Sequence, residues 1–138
     1  MPAKVSTAIK SWYMREPSRD KERLKHIVDA ADFIIEQSAS VTYEMFTGDK
    51  MLYGALVYYT MIIGESGYML SREFVSEYND VPWDDIAGMR HHIVQGYYKI
   101  DNRVLWNIIK LDIMPLRDKA QHYIETINWE QWNLQHNK

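Results

Sequence analysis

The chain has 138 residues, a formal net charge of −3 and no cysteine, which sizes it as one domain able to bury an apolar core. The missing cysteines exclude a disulfide framework, a thiolate zinc site and a cysteine nucleophile, and the mildly acidic balance excludes a chain drawn to nucleic acid by bulk charge alone. No apolar run reaches the roughly 18 residues that a membrane span needs, and Met1 to Tyr13 lack the apolar stretch of a signal peptide. The expectation is a soluble, cytoplasmic protein with no membrane contact. Charge is unevenly spread: residues 1–28 carry seven Lys/Arg against three Asp/Glu, 29–85 carry two against eleven, and 86–138 carry seven against five. An acidic middle between basic ends fits either distinct faces or an ordinary solvated surface, and both readings stay open.

Residues 1–17 have little periodicity and read as an N-terminal arm ahead of one helical domain, 18–138. Ser18 is a candidate N-cap, and Asp20 and Glu22 follow it where a helix dipole favours acids. Leu24, Ile27, Val28, Ala31, Ile34 and Ile35 then recur at helical spacing and predict a first helix over 18–38. Tyr43, Met45 and Phe46 form a short apolar cluster. Thr47 or Asp49 caps a second helix carrying Leu52, Leu56, Tyr59, Ile62, Ile63, Met69, Leu70 and Phe74, which predicts one long amphipathic helix ending near Tyr78. Gly54, Gly64 and Gly67 lie inside it, each costing up to about 1 kcal/mol against alanine, and three together point to the close approach of another helix. Glu65 sits between Gly64 and Ser66, either solvated at a rim or paired inside a site.

Pro82 with Asp84 and Asp85 announces a third helix through Ile86, Met89, Ile93 and Tyr97, which Gly96 either ends or bends. A fourth starts at Val104 and runs through Ile124, with a kink or break expected at Pro115. Trp129 and Trp132 fall in a polar tail, Asn128 to Lys138, that is expected to fray. No useful strand alternation or repeat is present. The reading is all-α: a four- to five-helix up-down bundle with a Pro-kinked last helix.

The chemistry concentrates in Met89-Arg90-His91-His92-Ile93-Val94-Gln95-Gly96-Tyr97-Tyr98. At about 100° per residue His91 and Gln95 share a face, Arg90 nearly eclipses Tyr97, and Arg90 and Gln95 stand far apart around a straight helix. A site using both needs a helix end, a second helix or a second subunit. Arginine presents a fixed fork of donors to phosphate, and a histidine beside it can move a proton near neutral pH. Together they can cleave RNA without a metal, the base taking the 2′-hydroxyl proton and the arginine holding the charge that develops on phosphorus. The bland alternatives stay open: a solvated arginine, surface histidines, and Tyr97 and Tyr98 as packing aromatics. Adjacent histidines make a poor metal pair, His122 and His136 have no ligand-spaced partner, and no metal or cofactor is expected. Walker, dinucleotide and nucleophile-elbow motifs are absent.

The stretches Arg19-Asp20-Lys21-Glu22-Arg23-Leu24-Lys25-His26-Ile27, Ile62-Ile63-Gly64-Glu65-Ser66, Val81-Pro82-Trp83-Asp84-Asp85-Ile86-Ala87-Gly88-Met89-Arg90, Gln95-Gly96-Tyr97-Tyr98, and Val104-Leu105-Trp106-Asn107-Ile108-Ile109 with Pro115-Leu116 follow one another in a fixed order. In that order they resemble the HepT-like members of the HEPN superfamily. The resemblance spans about 18–127. It implies a HEPN-like helical fold and metal-independent RNA cleavage by the toxin of a toxin–antitoxin pair. It also implies a homodimer with two motif copies facing each other, and a small nucleotidyltransferase antitoxin that silences the toxin by adding AMP to the motif tyrosine. The motif is R-x4-H-x-Y with a polar residue after the arginine. Arg90, His91 and Tyr97 match it, which makes Tyr97 the modification candidate, while Glu65 is implied to border the site and support Arg90. Gln95 stands where the histidine belongs. A glutamine amide hydrogen-bonds but is no base near neutral pH, and losing a general base costs about 10²–10⁴-fold. Cleavage is therefore expected to be impaired. The alternatives are a non-catalytic dimer that binds RNA or the nucleotidyltransferase, and a purely structural interaction module.

Overall fold

The computed structural model describes residues 15–95 and 100–136, with only the backbone of Val94 and Gln95. Among them the chain is helical and without strands: a 3₁₀ turn at Pro17–Arg19, then α1 (Asp20–Ser38), α2 (Tyr43–Gly48), α3 (Lys50–Tyr68), α4 (Arg72–Glu77), α5 (Trp83–Gln95), α6 (Asn102–Asn107), a π-helical turn (Ile108–Asp112), α7 (Ile113–Thr126) and α8 (Trp129–His136). No described helix is long and apolar enough to cross a membrane.

Four rods make the bundle: α5 lies along α3, α3 along α1, and α1 along α7. Neighbours run antiparallel. Gly64 and Gly67 of α3 meet Arg90 and Ile86 of α5 in reverse order, and Asp32 and Ser38 of α1 meet Arg117 and Lys110 in reverse order. The expected up-down bundle is therefore present. Its core holds Leu24, Ile27, Ala31 and Ile34 of α1, Leu56 and Ile63 of α3, and Ile109, Ile113 and Ala120 of the last rod. These residues recur at spacings of three, four or seven positions, which turns one stripe of each rod inward.

Side chains set several helix ends. Thr42 accepts from the Met45 N–H at 3.2 Å and starts α2. Asp49, one of the two expected caps, accepts from the N–H groups of Met51 and Leu52 at 3.0 and 3.1 Å and starts α3. Asp101 does the same for α6 with Arg103 and Val104. Ser18 is no N-cap: it lies in the 3₁₀ turn, and α1 begins at Asp20 after Arg19 without a side-chain cap.

The long helix expected to run to Tyr78 is broken after Tyr68. The Ser71 N–H donates to Asp20 Oδ1 at 2.7 Å instead of continuing the helical ladder, and the Ser71 hydroxyl donates to Asp20 Oδ2 at 2.6 Å. The same oxygen accepts from the Phe74 N–H at 3.1 Å and caps α4. Asp20 thus ties the start of α1 to a break between α3 and α4.

The last rod changes character just ahead of Pro115, where a kink or break is expected: a wider π turn, Ile108–Asp112, precedes it. Proline removes a donor and crowds the carbonyl four residues back, here that of Leu111, and a π turn accommodates both locally. The tail does not fray over its described length: α8 docks Trp129 and Trp132, 8% and 3% exposed, into the body. Phe74 gathers the rings of Tyr78, Trp83, Tyr123, Trp129 and Trp132 at centroid distances of 4.9–6.2 Å. Trp132 Nε1 donates to both Pro17 O and Asp20 Oδ2 at 3.3 Å.

Burial pushes the Asp20 carboxyl up to about 6, helped by the charge of Glu73 and opposed by the bonds from Ser71 and Trp132. The folded state therefore takes up this proton before the unfolded chain does. Its contribution favours folding at low pH and is lost as the pH rises from about 4 through about 6, on the order of 2–3 kcal/mol. Denaturant titrations from pH 4 to 7 should show that loss in the parent and a flatter profile in Asp20→Asn. Equal slopes in the two proteins would remove Asp20 as the source.

Candidate functional site

The candidate site grows out of the α3–α5 crossing. A Cβ on Gly64 would lie 2.7 Å from Arg90 N, 3.0 Å from Arg90 Cβ and 3.1 Å from Ile86 O, and one on Gly67 would lie 2.8 Å from Ile86 Cγ2. Two of the three glycines of this helix thus mark the close approach expected of them. Gly54 meets nothing within 4 Å and does not. The missing side chains let the backbone of α5 settle on α3, and Arg90 is fixed where it touches Gly64.

Glu65, next along α3, forms an ion pair with Arg90 through Oε2 and Nε. Of the two readings of Glu65, this is the paired one, although both side chains remain partly exposed. The Arg90 guanidinium carbon also lies 5.1 Å from the centre of the Tyr68 ring, one helical turn beyond Gly64, and that of Arg15 lies 3.9 Å from the same ring. Behind this surface Arg23 of α1 is 6% exposed. Its burial and the charge of Arg19 lower its pKa, while Glu65 is among the acids that oppose the shift.

Arg90 lies on a groove of about 710 Å³ together with Arg15, Tyr68, Arg72, Asp84 and His91. His91 is exposed on its wall. His92 turns to the other side of α5 beside Met89 and Ile93, its ring centre 6.0 Å from that of His91. The structure therefore brings Arg90, Glu65 and His91 together. The side chain of Gln95, which falls in the last turn of α5, and the whole of Tyr97 lie outside the described residues. Among the described residues no three His, Asp or Glu side chains gather as a metal site would require.

Sequence reasoning missed Arg15, Tyr68 and Arg72 as groove residues. Tyr68 reads as one more packing aromatic, and nothing in the spacing of Arg15 or Arg72 links either to Arg90. Across α5 lies a second groove of about 560 Å³, with Ile86, Met89, Ile108, Ile113 and Leu116 in its lining and Asp80, Asp85, Asp112 and Lys119 among its charged residues. Lys119 and the Tyr123 hydroxyl hold Asp80, and these bonds keep its carboxyl below the usual range. One helix thus separates an arginine-lined groove from an aspartate-lined one.

The structure thus sets an arginine–carboxylate pair beside an open groove of an all-helical bundle. A model of the family described as Ribonuclease HepT-like matches residues 24–123. The chain belongs to this family, within the HEPN superfamily. It is 32% identical over 74% of its length to a protein of Caldanaerobacter subterraneus subsp. tengcongensis named as a candidate RNase, covering 91% of that protein. It is also 32% identical over 73% of its length to a protein of Thermococcus cleftensis named as a candidate ribonuclease HepT, covering 92% of it. A Methanocaldococcus jannaschii protein, likewise named as a candidate RNase, is 29% identical over 73% of this chain and 93% of its own. No solved structure matches the chain significantly.

The two kinds of glycine on α3 give opposite expectations. Gly64→Ala forces the Arg90 backbone to move and should destabilise the fold by about 1–2 kcal/mol, since overpacking at about 1–3 kcal/mol outweighs the gain in helix propensity. Gly54→Ala, facing open space, should stabilise it by up to about 1 kcal/mol. Urea denaturation of the two variants measures this, and a neutral Gly64→Ala would deny the close crossing.

Proposed function

We propose that this chain is the ribonuclease toxin of a toxin–antitoxin pair, acting in the cytoplasm as a homodimer that cuts RNA without a metal, and that Gln95 weakens the cut. The observation that carries this reading is the placement of Arg90: seated on Gly64, paired with Glu65, and facing a groove lined with further arginines. The family membership and the names of the relatives support ribonuclease chemistry.

In the proposed reaction a base takes the 2′-hydroxyl proton, the 2′-oxygen attacks the adjacent phosphorus and the bond to the 5′-oxygen breaks; the leaving 5′-oxygen takes up a proton, so the products are a 2′,3′-cyclic phosphate and a 5′-hydroxyl. Arg90 meets the charge that builds on the phosphoryl oxygens. Glu65 acts as a positioning residue, orienting the guanidinium through Nε. His91, on the same groove, is the described group able to move a proton near pH 7. Gln95, one turn further along the helix, can hydrogen-bond ribose or phosphate but cannot carry that proton.

Dimerisation is supported by the outer face of α3, where Met51 and Tyr58 are 85% and 53% exposed on either side of the open Gly54. The proposed partner is a small nucleotidyltransferase that transfers AMP to the Tyr97 hydroxyl, adding bulk and negative charge to the motif. The substitution at Gln95 favours one second reading, a dimer that binds RNA or that partner and does not cut.

Cleavage of a fluorescent single-stranded RNA in EDTA separates the two. The parent should cut slowly, Arg90→Ala should abolish the cut, His91→Ala should slow it at least about tenfold, and Gln95→His should raise it by about 10²-fold or more. A Gln95→His variant no faster than the parent, or an Arg90→Ala variant as fast, contradicts the mechanism. After co-expression with a nucleotidyltransferase encoded beside the gene, the intact mass should rise by one AMP in the parent and not in Tyr97→Phe.

A further inference from the structure

We infer that Arg15 and Arg72 form a flanking phosphate subsite beside Arg90, with Tyr68 as the platform that holds Arg15 in place. The inference rests on the proposal that Arg90 engages RNA, and it adds a binding site with its own readout.

Three arginines from separate parts of the chain converge on one groove: Arg15 ahead of the 3₁₀ turn, Arg72 in the first turn of α4 and Arg90 of α5. The family match begins at residue 24, so Arg15 comes from outside the matched segment. Two of the three guanidiniums gather at a single ring, that of Tyr68, at 3.9 Å for Arg15 and 5.1 Å for Arg90. Like charges collected in this way repel each other. The ring's quadrupole offsets part of that repulsion, and an anion between them would relieve the remainder.

The local carboxylates do not fill that role. Glu65 is committed to Arg90, Asp84 is the acid in the groove lining, and among the described residues neither Arg15 nor Arg72 forms an ion pair. Three arginines thus stand against two acids before His91 is counted. The opposite side of α5 gives the contrast, because its groove is lined by Asp80, Asp85 and Asp112 against Lys119. A polyanion is attracted to one side of the helix and repelled from the other. The ligand that fits several fixed forks along one groove is a chain of phosphates, and arginine is suited to hold them in register.

Neither residue touches the reacting atoms in this arrangement. Arg15 and Arg72 anchor the strand on one side of the bond that Arg90 faces, so their loss should weaken binding and leave the rate at saturating RNA unchanged. Each phosphate contact on a single strand contributes about 0.7 to the slope of log affinity against log salt.

The test is fluorescence anisotropy with a labelled, fully 2′-O-methylated single-stranded RNA, which cannot be cleaved, titrated over a series of KCl concentrations. Arg15→Ala and Arg72→Ala should each lower the slope by about 0.7 and weaken binding several-fold at low salt. Tyr68→Leu should weaken binding at least as much as Arg15→Ala, since its ring also meets Arg90, and the Arg15→Ala/Tyr68→Leu double variant should be no weaker than Tyr68→Leu alone. Arg117→Ala, whose side chain is bound to Asp32 on another face, serves as the control and should bind like the parent. Unchanged slopes in Arg15→Ala and Arg72→Ala overturn the subsite, as does a parent that does not bind this RNA at low salt. Failure of cleavage is separate: a protein that binds with these slopes but does not cut keeps the subsite and loses the proposed reaction.

Discussion

The contact between Gly64 and the backbone of Arg90 is the constraint on which the rest of the candidate site depends. A helix carrying any side chain at position 64 would hold α5 away from α3, because the first added carbon already falls 2.7 Å from a main-chain nitrogen. With the glycine in place the two helices close. Glu65, fixed by its neighbour, then reaches Arg90, and Tyr68 comes within range of two guanidiniums. A packing fact on α3 thus becomes a charge arrangement on α5. The same crossing makes α5 a partition with arginines on one side and aspartates on the other.

A second node, at Asp20, holds the frame around that crossing. One buried carboxylate accepts from Ser71 twice and from Trp132, joining α1, the break before α4 and α8. The break turns the chain so that Arg72 reaches the groove instead of continuing along α3. Each bond to the carboxylate stabilises its charged form, yet desolvation prevails and the group sits near the middle of the accessible pH range. The acid that shapes the frame is therefore also its pH-sensitive point.

Much of the fold is legible in the sequence because it rests on local chemistry. The repeat Leu24, Ile27, Ala31, Ile34 and the Asp49 cap need only neighbours within one or two turns, and the spacing supplies them. The break at Ser71 does not, since its cause is a carboxylate 51 positions away, and a periodic pattern carries straight across it. The docked tail is illegible in the sequence for a related reason. Trp129 and Trp132 look like stray aromatics among polar residues until Phe74 and Asp20 are brought beneath them. In the site, Arg90 and His91 stand out by residue type and by family resemblance, and Glu65 as an acid in an apolar turn whose tie to Arg90 only the resemblance suggests. Arg15, Tyr68 and Arg72 carry no signal, because only the folded chain brings them together. The three glycines of α3 look alike in the sequence, and the difference between Gly54 and Gly64 lies entirely in what faces them.

The most direct test of this account is the affinity for an uncleavable single-stranded RNA of Gly64→Ala, Arg90→Ala and the double variant, each confirmed as helical by circular dichroism. If the crossing sets the site, Gly64→Ala should weaken binding about as much as Arg90→Ala, and the double variant should be no weaker than Arg90→Ala alone. A folded Gly64→Ala protein that binds RNA like the parent would contradict the account.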